Sequence, residues 1–382
     1  MLEQGRKFLA EFPGGQVLLT DGVLEALEQS LECRKENVVV FSGLHYAGLF
    51  RQAGYAVWCG VEAEPATGTV EKMIAFLEET VPEKVVAVGG GSVLDAAKAA
   101  YLSWQTGWKL ADLFGVNRWS SANPGKRLKR LIAIPTTSGT GSEATPYSNI
   151  VDRSAGVKKL IVEAESVPDT AICSAKLQAS MPPELTRAVG WDALAHLIEG
   201  FLNVGADNAH PAANRWALCG IALIKEFLKK AVDEPENQPA REAMMIASTL
   251  GGMTIRFKST GLPHLCSFSW FGRIAHGEAV VLLLPEAWRY YLANPAVAAR
   301  TMELAGIFPG NSPLEVISSF REFITAAGMP EKLSAWPEIT PELLMRTAAS
   351  GCENRMKLDL APNPVPLDKS YDILLDIMQK SY

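Results

Sequence analysis

The run Val85-Val86-Ala87-Val88-Gly89-Gly90-Gly91-Ser92-Val93-Leu94-Asp95-Ala96-Ala97-Lys98 leads an unbroken apolar strand into a glycine turn and out into a helix. Few folds accept that order. A strand with no polar alternation is buried on both faces, as in parallel sheets, and parallel strands need crossover helices such as the one beginning near Val93. Similar apolar runs stand at Val38-Val39-Val40-Phe41 and Leu131-Ile132-Ala133-Ile134, with helix-like stretches at Val23 to Leu31, Val70 to Glu79 and Val93 to Ser103. This alternation predicts an α/β domain with a doubly wound parallel sheet over residues 1–180. Beyond Met181-Pro182-Pro183 the strand-like runs thin out. Helical periodicity takes over at Thr186 to Leu202, Asn214 to Ala231, Ala240 to Met253 and Leu314 to Ala327. Residues 181–382 are expected to form an all-α domain, with an irregular loop at Ala361-Pro362-Asn363-Pro364-Val365-Pro366 before the last helix. A chain of 382 residues exceeds what one core usually holds, so two domains with a cleft between them follow.

Composition narrows the partners. Hydrophobic residues make up 48% of the chain and charged residues 20%, and no stretch approaches the ~20 uninterrupted apolar residues of a membrane span. Met1 to Glu11 is charged throughout and lacks the apolar centre of a secretory leader. Cysteines at 33, 59, 173, 219, 266 and 352 are too scattered for a disulfide framework and suit thiols in a reducing compartment. A cytoplasmic protein is expected. With a net charge of -6 and no basic cluster, the chain offers no footprint for DNA or RNA, whose binding rests on neutralising phosphates.

Backbone N–H groups at a helix N-terminus favour an anion, and glycines let the backbone approach it closely. Gly89, Gly90, Gly91 and Ser92 therefore suit a pyrophosphate, with Ser92 donating a further hydrogen bond, although a glycine triplet alone equally fits a tight turn without ligand. A second small, hydroxyl-rich segment, Pro135-Thr136-Thr137-Ser138-Gly139-Thr140-Gly141-Ser142-Glu143, follows the next strand at the same carboxyl edge of the sheet. Ligands of open α/β folds bind there, and the two loops together favour a nucleotide site. In the helical half, Asp192 and His196 are four apart and share a helix face. A simple hydrogen-bonded pair would read the same way. His264 and His276 lie in the apolar, glycine-punctuated segment Gly261 to Pro285, where a histidine needs a partner. One carboxylate with three imidazoles suits Fe²⁺ or Zn²⁺ rather than Mg²⁺ or Ca²⁺, which prefer oxygen ligands.

The chain resembles the iron-containing (group III) alcohol dehydrogenases, within the wider dehydroquinate-synthase-like fold, over nearly its whole length. The resemblance rests on Gly89 to Ser92 with Asp95 and Lys98, on Pro135 to Glu143, on Asp192-Ala193-Leu194-x-His196-x-x-Glu199, and on His264 and His276-Gly277 leading to Leu284-Pro285. It implies a metal-dependent, NAD(P)(H)-linked alcohol dehydrogenase or aldehyde reductase for a small alcohol or aldehyde. By the same resemblance Asp192, His196, His264 and His276 bind Fe²⁺, with Zn²⁺ as the alternative, and catalysis runs through that ion. Gly90 to Ser92 would bind the pyrophosphate, and Gly89, Asp95, Thr136, Thr137, Thr140 and Lys158 the rest of the dinucleotide site. Read alone, Lys158 is a solvated lysine beside Lys159; the following Leu160-Ile161-Val162 matches the family's next strand. A homodimer paired through the N-terminal domains is also implied.

The chain departs from the family at three places. Where an acidic residue often follows the second strand, this chain has Phe41-Ser42-Gly43, so the 2′-phosphate of NADP(H) is not repelled and both NAD(H) and NADP(H) stay open. The next helix is shortened to Leu44 to Ala53. Where many members carry a further histidine near the substrate, this chain has Phe268, so the proton is expected to leave through water or the nicotinamide ribose. The stretch Thr254-Ile255-Arg256-Phe257-Lys258-Ser259 falls where the family places its substrate pocket. Arg256 and Lys258 would there hold a carboxylate, sulfonate or phosphonate on the substrate, the alternative being that both face solvent at a helix end. Two rival functions share parts of the pattern: a lyase or polyol-phosphate dehydrogenase of the same superfold, and a non-catalytic nucleotide sensor, which would not need a complete set of metal ligands.

Overall fold

The computed structural model describes residues 1–382. Nine strands form: β1 (Gln16–Leu19), β2 (Val38–Ser42), β3 (Ala56–Cys59), β4 (Lys84–Gly89), β5 (Gly115–Val116), β6 (Ile132–Pro135), β7 (Tyr147–Asp152), β8 (Val157–Val162) and β9 (Thr170–Cys173). Six of them make one parallel sheet in the order β1-β9-β6-β4-β2-β3. β2, β6 and β9 are buried at every position and β4 at all but its first, which is why these strands carry no polar alternation. After β2 the chain steps outward to β3, returns to β4 on the other side of β2, and moves on through β6 to β9. The direction of winding reverses between β2 and β4, and the crevice beyond their carboxyl ends is where ligands of such sheets bind. Gly89 at the end of β4 stands in register with Pro135 at the end of β6, so the two glycine- and hydroxyl-rich loops leave the sheet side by side.

β5, β8 and β7 form a separate small sheet, with β7 and β8 antiparallel. The strand expected at Leu160-Ile161-Val162 exists as β8, which already includes Lys158 and pairs in this hairpin. Its turn explains the pairing: Asp152 Oδ1 accepts from the N–H groups of Ser154 at 3.0 Å and Ala155 at 3.1 Å, and Gly156 closes the turn at φ +65°.

Six helices matter for the site: α1 (Gly91–Thr106), α2 (Pro183–Leu202), α3 (Ala213–Asp233), α4 (Gln238–Lys258), α5 (Leu262–Ser267) and α6 (His276–Tyr291). From Pro183 onward every regular element is helical. α2 is buried without interruption from Gly190 to Leu202 and packs among α3, α4 and α6. A helix with no solvent face must satisfy its polar residues inside the protein, so Asp192, His196 and Glu199 need internal partners. The first helix, Leu2–Leu9, joins this helical core: Phe8, Leu9 and Phe12 are part of it, and Arg6 pairs with Glu242 at 2.7 Å. The chain therefore begins among the helices before it enters the sheet. No helix is long and apolar enough to cross a membrane.

Candidate active site

The glycine turn caps α1. Gly90 is its N-cap and Gly91 its first residue, so the free N–H groups of the helix open toward the crevice. The missing side chain at Gly91 also makes room for the second loop, since a Cβ there would lie 2.5 Å from Thr140 Cγ2. Ser92 Oγ accepts from the N–H of Glu64 at 3.1 Å, which leaves its own hydrogen free to donate. Asp95 and Lys98 hold the second loop, and Asp95 also lines the cleft. Asp95 accepts from Ser142 Oγ at 2.5 Å and from the Asn149 N–H at 2.9 Å, while the buried Lys98 ammonium donates to the carbonyls of Ser142 at 3.0 Å and Thr145 at 3.2 Å. Lys158 is no solvated lysine: its side chain is 10% exposed and pairs with Glu64 at 2.6 Å.

At the other end, three elements of the helical half converge on one oxygen. Asp192 Oδ1, on α2, lies 3.6 Å from His196 Nε2 of the same helix, 3.5 Å from His264 Nε2 on α5, and 3.6 Å from His276 Nε2 at the start of α6. Asp192 Oδ1 and His264 Nε2 are buried with no hydrogen-bond partner. Donor atoms around one ion at about 2.1 Å stand roughly 3.4 Å apart when tetrahedral, so these separations suit a transition metal. The tightest group is Asp192, His264 and His276, whose ligand atoms all lie within 4.8 Å of one another; His196 stands 3.6 Å from Asp192 and stacks on the His264 ring with centroids 4.7 Å apart. A nitrogen-rich set with one carboxylate accepts Fe²⁺ or Zn²⁺.

Electrostatics prepares the cluster. Burial alone would raise the Asp192 carboxyl, but His196, His276 and His264 hold it well below the usual carboxylate range. Burial pushes His276 down to about 3, against the pull of Asp192, and lowers His196 likewise. His264 is the exception: burial lowers it, yet Glu199 and Asp192 outweigh burial and raise it to about 9.

Two outer contacts fix the rings. The buried Glu199 carboxylate accepts from His264 Nδ1 and, at 3.1 Å, from the Gly261 N–H, while Ser267 Oγ lies 3.2 Å from His276 Nδ1. Both orient the Nε2 atoms toward Asp192. Glu199→Gln keeps the shape of the side chain but removes its charge, and a metal affinity about 10- to 100-fold weaker is expected. Competition titration with a chelator measures it; wild-type affinity would remove Glu199 from the site.

A cavity of about 180 Å³ joins the two ends. Gly91, Ser92, Asp95, Thr140 and Lys158 line it on one side, and Asp192, His196, His264, His276 and Phe268 on the other. Gly89, Gly90, Thr136 and Thr137 are not among the lining residues, and Thr137 packs over Gly90. Arg256 and Lys258 do not reach it. Arg256 donates to the Pro13 carbonyl at 2.7 Å and lies over Phe12 and Phe257, and the buried Lys258 donates to Asp207 and Asn214, both at 2.6 Å. Ile255 is the residue of this stretch that faces the cavity, and one step along a helix turns the next side chain by ~100°. Neither cation is therefore placed to hold a substrate anion. Sequence reading missed Lys357, Thr260 and Glu64, which line the cavity from segments far apart in the chain.

Residues 13–175 match the family described as iron-containing alcohol dehydrogenase, and residues 186–381 match the C-terminal part of the Fe-containing alcohol dehydrogenase family. The probable alcohol dehydrogenase EutG of Salmonella typhimurium is 37% identical over 84% of this chain and 85% of its own. The iron-containing alcohol dehydrogenase of Thermococcus thioreducens superposes with a TM-score of 0.83 at 25% identity, over 96% of this chain and 98% of that one. A sulfoacetaldehyde reductase from Bifidobacterium kashiwanohense, solved with NAD⁺, gives 0.77 at 25% identity over 96% of this chain and 97% of its own. Both halves of the chain find their counterpart, in sequence and in shape, on either side of the cleft where the glycine turn meets the histidines. The chain belongs to the iron-containing alcohol dehydrogenase family, oxidoreductases acting on CH–OH groups.

Proposed function

We propose that Asp192, His196, His264 and His276 hold Fe²⁺ at the floor of the cleft and that the chain interconverts a small alcohol and its aldehyde at the expense of a nicotinamide dinucleotide. The observation that carries this reading is the convergence of three imidazole nitrogens, 3.5–3.6 Å away, on the unpartnered Asp192 oxygen in the cavity that Gly91 and Ser92 also line. When bound, Fe²⁺ supplies Lewis-acid polarisation of the substrate oxygen and the nicotinamide supplies or accepts the hydride. The protein's part is to bind and align. Gly90 to Ser92 present N–H groups and a hydroxyl to the pyrophosphate, with Gly89, Asp95, Thr136, Thr137 and Thr140 shaping the two loops and Lys158 beside them. Phe268 puts an aromatic wall where an imidazole would be needed for a proton relay, so the proton leaves through water or the nicotinamide ribose.

The same reading takes the enzyme as a cytoplasmic homodimer, which sedimentation and cell fractionation test. Ser42 and Gly43 at the end of β2 place no carboxylate against a 2′-phosphate, so NADPH is to be assayed beside NADH. Anaerobically purified, Fe²⁺-reconstituted protein is expected to oxidise one of the two in the presence of small aldehydes and to lose that activity when the metal is chelated. Stoichiometric metal without turnover of either cofactor would refute the reading.

A further inference from the structure

Lys357 sits on a short helix, Arg355–Asp359, is 4% exposed, and reaches the wall of the catalytic cavity. Its ammonium donates to Thr260 Oγ1 at 2.6 Å, to the Thr260 carbonyl at 3.0 Å and to Ser259 Oγ at 3.2 Å, all neutral acceptors. No carboxylate oxygen lies within 4.0 Å of it. Other charges on that wall are balanced: Lys158 pairs with Glu64 at 2.6 Å, Asp95 lies 3.6 Å from Lys98, and Asp192 faces the imidazoles. A buried ammonium with no counter-ion is costly, and the cost is relieved when a ligand brings the opposite charge. Burial lowers Lys357 to about 8, with Glu199 pulling the other way, so at neutral pH it is still mainly a cation.

The turn that holds it is itself strained. Ser259 is a non-glycine residue at φ 59°, a conformation costing on the order of 1 kcal/mol or more. That turn joins α4 to α5, the helix that carries His264, and sets the Ser259 and Thr260 hydroxyls on Lys357. The strain thus fixes a cation and a hydroxyl in the cavity that also holds the metal ligands.

We propose that Lys357, with the Thr260 hydroxyl, binds an anionic oxo group on the substrate and makes small aldehydes bearing a carboxylate, sulfonate or phosphonate the preferred substrates over neutral ones of similar size. This rests on the aldehyde reductase reading above and adds the substrate class and the residue that selects it. Ammonium-to-oxyanion hydrogen bonds are roughly twice as strong as neutral ones, and they strengthen where water is excluded.

The test compares two-carbon aldehydes carrying each of the three anions with propanal, on the Fe²⁺-loaded enzyme. The wild type is expected to favour at least one anionic aldehyde by tenfold or more in kcat/KM. Lys357→Met is expected to lower kcat/KM for that aldehyde about 100-fold, chiefly through KM, and to change propanal by less than about threefold. Lys357→Arg restores part of the preference. Calorimetric titration of ethanesulfonate, which has the anion but no aldehyde, reads the site without turnover: it binds the wild type and not Lys357→Met. Where Lys357→Met does not fold, the wild-type preference and ethanesulfonate competition with the aldehyde decide. Equal losses on charged and neutral aldehydes, or a wild type that neither prefers the anions nor binds ethanesulfonate, overturn the proposal. Ethanesulfonate binding without reduction of any aldehyde leaves Lys357 as an anion site and refutes the reductase reading instead.

Discussion

His264→Ala is expected to abolish metal retention and lower turnover by at least three orders of magnitude. The histidine supplies one of the buried nitrogens around Asp192, and its removal also leaves the Glu199 carboxylate without its imidazole partner. Polarisation of a substrate oxygen by a bound ion contributes several kcal/mol, and each ~1.4 kcal/mol is tenfold in rate. Metal analysis after gel filtration and steady-state assays check both parts; stoichiometric iron with wild-type kcat would remove His264 from the ligand set. A pH signature accompanies the loss. His264 is raised to about 9 in the metal-free protein, so at neutral pH incoming metal must displace a proton from it. Apparent affinity should therefore rise by about tenfold per pH unit below about 9 and level off above it. His276 and His196, both lowered, add no such dependence in that range, so the slope belongs to His264 alone, and an affinity independent of pH between about 6 and about 9 would overturn this assignment.

The parts of the fold legible in the sequence were those where one physical demand acts on neighbouring residues. Burial on both faces wrote β2, β4 and β6 as unbroken apolar runs, and the spacing of Asp192 and His196 put both on one side of α2. Glu199 was within reach of the same reasoning, since it lies three residues beyond His196 and seven beyond Asp192, on that same face. Periodicity does not say against what an element packs. The helix at Leu2–Leu9 was not read from the sequence, and nothing local says that Phe8 and Leu9 belong with the helical half, or that β7 and β8 pair outside the main sheet. Arg256 and Lys258 failed for a related reason: charge in the right stretch was visible, while the rotation of α4 that aims Ile255 at the cavity was not. Lys357 lies nearly a hundred residues from Thr260 in the chain, and only the folded structure shows an ammonium without a counter-ion on the cavity wall.

Gly277→Ala should be the most damaging change at a position that supplies no ligand itself. Gly277 follows His276 at the start of α6, where α6 meets α2 so closely that an added Cβ would lie 2.0 Å from the Ala188 carbonyl oxygen and 2.6 Å from the Asp192 nitrogen. Both obstacles are backbone atoms of a buried helix, so no side chain can swing aside. The helices must part by about 1 Å or more, at an overpacking cost on the order of 3 kcal/mol. His276 and Asp192 ride on the two helices, and their atoms now stand 3.6 Å apart. Ligand constellations tolerate displacements of only ~0.5 Å, so the same shift that destabilises the protein also spoils the metal site. The expected result is a lower melting temperature together with at least about 100-fold weaker metal binding. The two effects are coupled in a way that can be measured: metal stabilises the folded wild type by mass action, so added Fe²⁺ should raise its melting temperature markedly and that of Gly277→Ala much less. A variant that melts lower but gains as much from iron as the wild type would show that α6 and α2 can separate without moving His276 off Asp192, and the close approach at Gly277 would then serve packing alone.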